Sequence, residues 1–382
     1  MHIPFNPSAG SSLGVEWELE LVDLESRELT SAASEILAEI TPVPGEEHPK
    51  AKHELLESTI EIITGICSTV AEAREDLAGT LKEVREAAAR RNLGVMCSGT
   101  HPFTDWSTQT VSPSPRYQQL VENMQWLARR MQIFGVHVHV GVRSPDKAIP
   151  INNALMAYIP HFLALSASSP YWVGTDTGLA SARSKVFEGL PTAGLPYALS
   201  GWDAFEEYME TLISTNTIQT IREVWWDIRP HPTFGTVELR ICDGLPTLDE
   251  ISVIAALSQS LVESFDRQLD KGYTLPQPKM WLVRENKWRA ARYGLDAEIV
   301  VDDRGNNMQP VREAILDLAD DLAPIARKIG CEEELGRVEE LLDIGASYQR
   351  QRAAADANGG DLRAVVDLLL NEMDQGIFAA RG

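Results

Sequence analysis

Apolar and polar residues alternate along residues 13–23 and again along 133–143, a period of two that predicts β-strands with one buried face. Residues 58–65 and 93–98 are shorter β-prone runs, and 222–229 and 235–242 predict two further strands joined by the turn-rich segment PHPTFG. Elsewhere the period lengthens. Val70, Ala73, Leu77, Leu81, Val84 and Ala88 trace a helical stripe through residues 69–92, and Thr247 with Glu250 has the form of a capping box opening a helix towards Leu269. Helical patterns also predict segments 116–132, 151–168 with a kink at Pro160, 202–217, 278–293, 309–329, 332–348 and 361–375. The Gly- and Pro-rich stretch 173–201 has no clear period and reads as a long loop carrying Arg183 and Lys185. There is no internal repeat and no linker, so a single domain over residues 1–382 is expected, with a sheet-bearing core to about residue 265 and a helical part after it.

Side chains alternate across a strand, so each predicted strand has two readable faces. In GVEWELEL, Val15, Trp17, Leu19 and Leu21 share one face while Glu16, Glu18 and Glu20 share the other. Three like charges in a row repel, which calls for a cation opposite them; an edge strand with a solvated acidic face has the same pattern. GVHVHVGVR sets four valines against His137, His139 and Arg143, and TVELRIC sets Val237, Leu239 and Ile241 against Glu238, Arg240 and Cys242. STIEIITG places Glu61 among isoleucines, with Glu54 and Glu57 just before it; a carboxylate so placed is costly to bury without a metal or cationic partner. Together these strands predict a sheet with helices on its apolar back and a carboxylate- and imidazole-lined front. Mostly oxygen ligands with one or two imidazoles suit Mg²⁺ or Mn²⁺, ions that commonly serve phosphate chemistry.

Composition narrows the partners. The 382 residues carry 34 Lys and Arg against 56 Asp and Glu, a net charge of -22 that argues against nucleic-acid or anionic-membrane surfaces. Cys67, Cys97, Cys242 and Cys331 have neither disulfide-framework nor zinc-ribbon spacing, and the first residues lack the pattern of a signal peptide, so a cytoplasmic protein is expected. No P-loop and no helix-opening G-x-G-x-x-G is present. Phosphates or a substrate carboxylate would therefore meet Arg143, Arg183, Lys185, Arg222, Arg229 or Arg240, each of which also has a structural ion pair as an alternative role. The Trp225–Trp226 pair reads as core packing.

In order, G-V-E-W-E at residues 14–18, E-S-T-I-E at 57–61, G-V-H-V-H-V-G at 135–141, R-S-K-V-F-E-G-L-P at 183–191, W-W-D-I-R-P-H-P at 225–232 and G-T-V-E-L-R-I-C-D at 235–243 resemble the carboxylate-amine ligases of the glutamate-cysteine ligase type 2 family. The motifs cover about the first two thirds of the chain, and as a set they are far more specific than any one of them. The resemblance implies an α+β, glutamine-synthetase-like fold: a curved, mainly antiparallel sheet with helices on its apolar face and a helical C-terminal region. It implies metal ligands at Glu16, Glu18, Glu61, His137 or His139, and Glu238. It places Arg240 and Arg183 at the reacting phosphoryl group, with Glu16, Glu18, Lys185 and Arg240 at the nucleotide. The implied cofactors are ATP and Mg²⁺ or Mn²⁺. The implied substrates are an amino-acid carboxylate, that of glutamate, and an amine such as cysteine, joined through an acyl phosphate; cysteine-ligating activity itself is expected to be weak. Cys242 is expected to pack rather than react, and a homo-oligomer is expected because most soluble oligomers are homo-oligomeric. Two other readings compete: a metal-dependent hydrolase using the His137/His139 pair, and a non-catalytic nucleotide-binding regulator.

Overall fold

A computed structural model describes residues 1–302 and 304–378. Its strands are β1 (Leu13–Asp23), β2 (Ala51–His53), β3 (Thr59–Ile63), β4 (Leu93–Met96), β5 (Val136–Gly141), β6 (Tyr171–Trp172), β7 (Thr175–Asp176), β8 (Ile228–His231), β9 (Thr236–Leu239), β10 (Glu298–Val300) and β11 (Met308–Pro310). Seven form one sheet in the order β2-β3-β1-β5-β9-β8, with β4 pairing the last residues of β1. Every pairing in it is antiparallel.

The alternation read from the sequence sorts as anticipated. Val15, Trp17, Leu19, Leu21, Ile60, Ile62, Val136, Val138, Val140, Val237 and Leu239 are buried in the main core, and the only polar atom among their side chains, Trp17 Nε1, donates to Leu245 O at 3.0 Å. The helices begin with α1 (Ala33–Ile40) and α2 (Val70–Ala89), followed by α3 (Pro115–Met124), α4 (Trp126–Arg129), α5 (Pro145–Leu155) and α6 (Ile159–Ser166). Then come α7 (Ala182–Phe187), α8 (Trp202–Ser214), α9 (Leu248–Asp270), α10 (Met280–Tyr293) and α11 (Val311–Ile329), with four shorter helices after them among the described residues. Helices α2 and α9 cover the apolar back of the sheet, each opened by a threonine, Thr69 and Thr247, whose hydroxyl accepts a backbone N–H three residues on. One hydrophobic cluster runs from Ile3 to Met373, so the C-terminal helices share the core of the sheet. The span Pro145–Ser166 is apolar enough to cross a membrane, but the window that passes this test is 83% buried inside the protein and serves as core.

Several expectations need correction. The helix anticipated over 116–132 breaks at Gln125, whose φ of 49° lies in the left-handed region. The stretch 173–201 is not all loop: it contains β7 and α7, the latter capped by the Ser181 hydroxyl, so Arg183 and Lys185 stand on a short helix. Residues 221–223 form a 3-10 turn, and strand pairing starts only at Ile228. The helix expected over 332–348 is divided at Gly336 and Gly345.

Candidate functional site

Sheet register assembles the site. Glu18 on β1 lies opposite Glu61 on β3, Glu16 opposite His137 on β5, His139 opposite Glu238 on β9, and Arg229 on β8 opposite Glu238. Like charges directly opposite are destabilising, so the Glu18–Glu61 pair is a place where a cation or a proton is required.

At the centre, Glu16 joins both imidazoles: Oε2 is 3.0 Å from His137 Nδ1 and Oε1 is 3.2 Å from His139 Nε2. The two histidines differ in what remains free. His139 is engaged at both nitrogens, its Nδ1 standing 3.1 Å from Thr236 Oγ1. His137 Nε2 is buried and has no hydrogen-bond partner among the described residues. One ligand atom each from Glu16, His137 and Glu238 fall within 4.8 Å of one another, and the same holds for Glu18, Glu61 and His137. His137 belongs to both groups and His139 to neither.

Arg229 Nε donates to Glu238 Oε2 at 2.6 Å, and Arg240 Nη1 donates to Oε1 of the same carboxylate. Gly135 N donates to Glu18 Oε2 at 2.5 Å. Arg183 is buried, with Nη1 3.4 Å from the carbonyl oxygens of Arg240 and Ile241. The Nε groups of Arg183 and Arg240 find no partner among the described residues. Gly135 makes room for this arrangement, because a Cβ there would stand 2.3 Å from Arg183 Nη2.

The charges are strongly perturbed. Burial drives Glu18 up to about 8, Glu54 adding to the rise while Arg183 and Arg240 oppose it. Burial and the neighbouring carboxylates Glu16, Glu54 and Glu18 hold Glu61 well above the ordinary range. Burial alone would also raise Glu16 and Glu238, but His139 and His137 outweigh it at Glu16, and Arg229 and Arg240 outweigh it at Glu238, so both stay ionised. Burial and then Arg240 lower His137 to about 4, which keeps its imidazole neutral and able to ligate. His139 is raised despite burial, by Glu238 and Glu16.

A cavity of about 500 Å³ opens against this cluster, lined there by Glu18, His137, Arg183 and Arg240 and further out by Glu54, Tyr117 and Trp225. Of the residues singled out from sequence, Glu16, Glu18, Glu61, His137, His139, Glu238, Arg183 and Arg240 converge. Lys185 does not: it is absent from the cavity lining, and its Nζ pairs with Glu188 at 2.9 Å and lies 5.5 Å from the Trp288 ring centre. A three-residue spacing on α7 pulls it to Glu188, which the reading of a loop had no means to anticipate. Arg143 serves a structural pairing with Glu263 and Asp266. Both tryptophans pack as expected, Trp226 in the main core and Trp225 in a smaller apolar cluster, where Trp225 also lines the cavity. Cys242 is fully buried and burial pushes its thiol up to about 12, so it packs.

Sequence reasoning missed two supports. Glu54 lines the cavity, and its only sequence signal was its closeness to Glu61. Lys287 on α10 is buried between Asp227 (2.6 Å) and Glu188 (2.5 Å), tying α10 to the segment before β8 and to the end of α7; nothing in its helical surroundings marked it.

The sequence profile of the Glutamate-cysteine ligase family 2 matches residues 12–368. A candidate glutamate–cysteine ligase 2-1 of Frankia alni is 62% identical over 377 residues, covering 98% of both chains. Its counterpart in Thermobifida fusca is 56% identical, covering 98% of this chain and 94% of the relative. Among solved structures, a glutamate–cysteine ligase from Francisella tularensis in complex with AMP superposes with a TM-score of 0.69 at 13% identity, over 97% of this chain and 90% of that one. A bifunctional glutathione synthetase from Pasteurella multocida superposes with a TM-score of 0.68 at 17% identity over 96% of this chain, which spans only 52% of that enzyme. At these identities the structures establish the α+β, glutamine-synthetase-like fold.

Proposed function

The chain belongs to the glutamate-cysteine ligase family 2, and from that membership we propose that it is an ATP-dependent carboxylate–amine ligase of the cytoplasm, its described core acting as one catalytic unit. The substrates of this reading are the side-chain carboxylate of glutamate and an amine of the cysteine type. The observation that carries it is the convergence of Glu16, Glu18, Glu61, His137 and Glu238 in two donor groups that share one neutral histidine.

The donor set fits a hard divalent ion, Mg²⁺ or Mn²⁺: four carboxylates and an imidazole whose Nε2 is buried and unpartnered. Two groups are available to an ion, Glu16, His137 and Glu238 or Glu18, Glu61 and His137, and the single free nitrogen of the neutral His137 would serve one of them at a time. When bound, such ions supply positive charge that neutralises phosphate oxygens. The side chains do the rest. A substrate carboxylate oxygen attacks the γ-phosphorus of ATP, ADP leaves, and an amine then displaces phosphate from the acyl phosphate. Arg183 and Arg240, buried with unpartnered Nε–H groups at the cavity wall, would stabilise charge on the transferred phosphoryl group. Arg229 fixes Glu238 by a charged hydrogen bond and so orients a metal-facing carboxylate. No enzyme nucleophile is needed. A zinc hydrolase built on the two histidines is disfavoured, because His139 has both nitrogens occupied.

Incubation with Mg²⁺, ATP, glutamate and an amine tests this reading. ADP release that requires both glutamate and amine is expected; amide hydrolysis without ATP would overturn it.

A further inference from the structure

The cavity is divided by chemistry. Where it meets the cluster it is charged; beyond that, an apolar patch lies in a lining that also holds Glu54, Arg116, Arg222 and Glu223. Met131, Phe187, Leu190 and Trp225 form a hydrophobic cluster of their own, apart from the main core, with Leu120 and Ile133 packed against it. All six also line the cavity. A satellite cluster wrapped round about 500 Å³ of open volume leaves carbon surface without packing partners, a cost that a ligand of matching shape removes. Part of this wall comes from α3, none of whose residues is buried and whose Leu120 and Met124 pack on the same cluster.

Position decides which substrate the wall serves. The carboxylate to be phosphorylated belongs beside Arg183 and Arg240. The amine has no such requirement for cations and approaches from the remainder of the cavity, whose lining includes the carboxyl group of Glu54. We propose that the acceptor is a primary amine carrying an aromatic or branched aliphatic body, seated against Leu120, Phe187, Leu190 and Trp225, in preference to cysteine. This rests on the ligase reading above. In the step itself the ammonium first gives one proton to the Glu54 carboxylate. The nitrogen lone pair then attacks the acyl carbon, the C–N bond forms, the C–O bond to phosphate breaks, and phosphate leaves with that electron pair and takes up the second nitrogen proton. One methylene in such a pocket is worth about ten- to two-hundredfold in discrimination.

The test measures ADP release by the full chain with Mg²⁺, ATP and glutamate against phenethylamine, cysteine and hydroxylamine in turn. The expected result is a kcat/KM for phenethylamine at least tenfold above that for cysteine. In Leu120→Ser, the ratio of kcat/KM for phenethylamine to that for hydroxylamine should fall at least fivefold. Cysteine used as well as or better than phenethylamine, or a ratio unchanged in the variant, overturns the apolar acceptor and leaves the ligase reading standing. No glutamate-dependent ADP release with any of the three amines overturns both.

Discussion

Glu238 illustrates how much of the site rests on single charges. It is buried, takes hydrogen bonds from Arg229 and Arg240, and faces His139. Glu238→Gln keeps the shape, removes a metal-facing charge and leaves two guanidiniums without their counter-ion. Turnover in that variant should fall at least about a hundredfold, on the scale of losing one preorganised electrostatic contact, while circular dichroism stays native; normal activity would refute the assignment. Glu20 shows the opposite case. It shares the acidic face of β1 but sits beyond the cluster, fully buried, with Oε1 taking Ser98 N and Oγ at 2.9 Å and Oε2 unpartnered. Burial raises its carboxyl to about 8. A carboxyl raised on folding contributes stability that is present at low pH and lost as pH climbs from its unfolded value of 4.5 through 8. Relative to Glu20→Gln, the wild type should lose up to about 1.4 kcal/mol per pH unit across that window. Urea unfolding at pH 5 and pH 8.5 checks this, and parallel behaviour of the two proteins would contradict it.

At the level of elements, β5 and α7 are fitted to each other at Gly135. An alanine Cβ there would collide with the end of the Arg183 side chain and come within 3.2 Å of His137 Nε2. Because the obstructing atoms end a side chain, Gly135→Ala should fold yet displace Arg183. Activity at least about tenfold lower is expected, as misplacement of this kind costs up to a hundredfold, with little change in Tm; an active variant would show that Arg183 does not need its present position. Lys287 joins α10 to Asp227 and Glu188, and Lys287→Met leaves Asp227 buried without its cation. Thermal or urea unfolding should register a loss of about 3–5 kcal/mol, and a loss below about 1 kcal/mol would mean that the pairing is dispensable. These elements also mark what the sequence made legible. The strands bearing Glu16, Glu18, His137 and Glu238 were readable because period-two alternation maps directly onto faces. The six-residue α7 is too short for a helical period to emerge, so the direction of Lys185 was hidden. The Lys287–Asp227 pair spans 60 residues in sequence, and only tertiary packing brings it together.

For the whole molecule, the net charge of -22 acquires a definite local meaning. Five of the acidic side chains, Glu16, Glu18, Glu54, Glu61 and Glu238, gather at one sheet face and its cavity, and burial holds three of them, Glu18, Glu54 and Glu61, above their ordinary range. Cations bound there would replace protons and reverse the sign of the face, admitting a polyphosphate to an otherwise repellent protein. The sheet's two faces were separable in the sequence because one is continuous hydrocarbon. The cavity was not, since its apolar wall is drawn from residues 55, 120, 131, 133, 187, 190 and 225, which no local pattern links. The central claim is that a substrate carboxylate is activated by phosphorylation at this face. Its most direct test follows oxygen: glutamate labelled with ¹⁸O in the side-chain carboxylate is turned over with ATP, Mg²⁺ and hydroxylamine, and the inorganic phosphate is analysed by mass. An acyl phosphate transfers one labelled oxygen to phosphate for each hydroxamate formed. Phosphate released without label would contradict it.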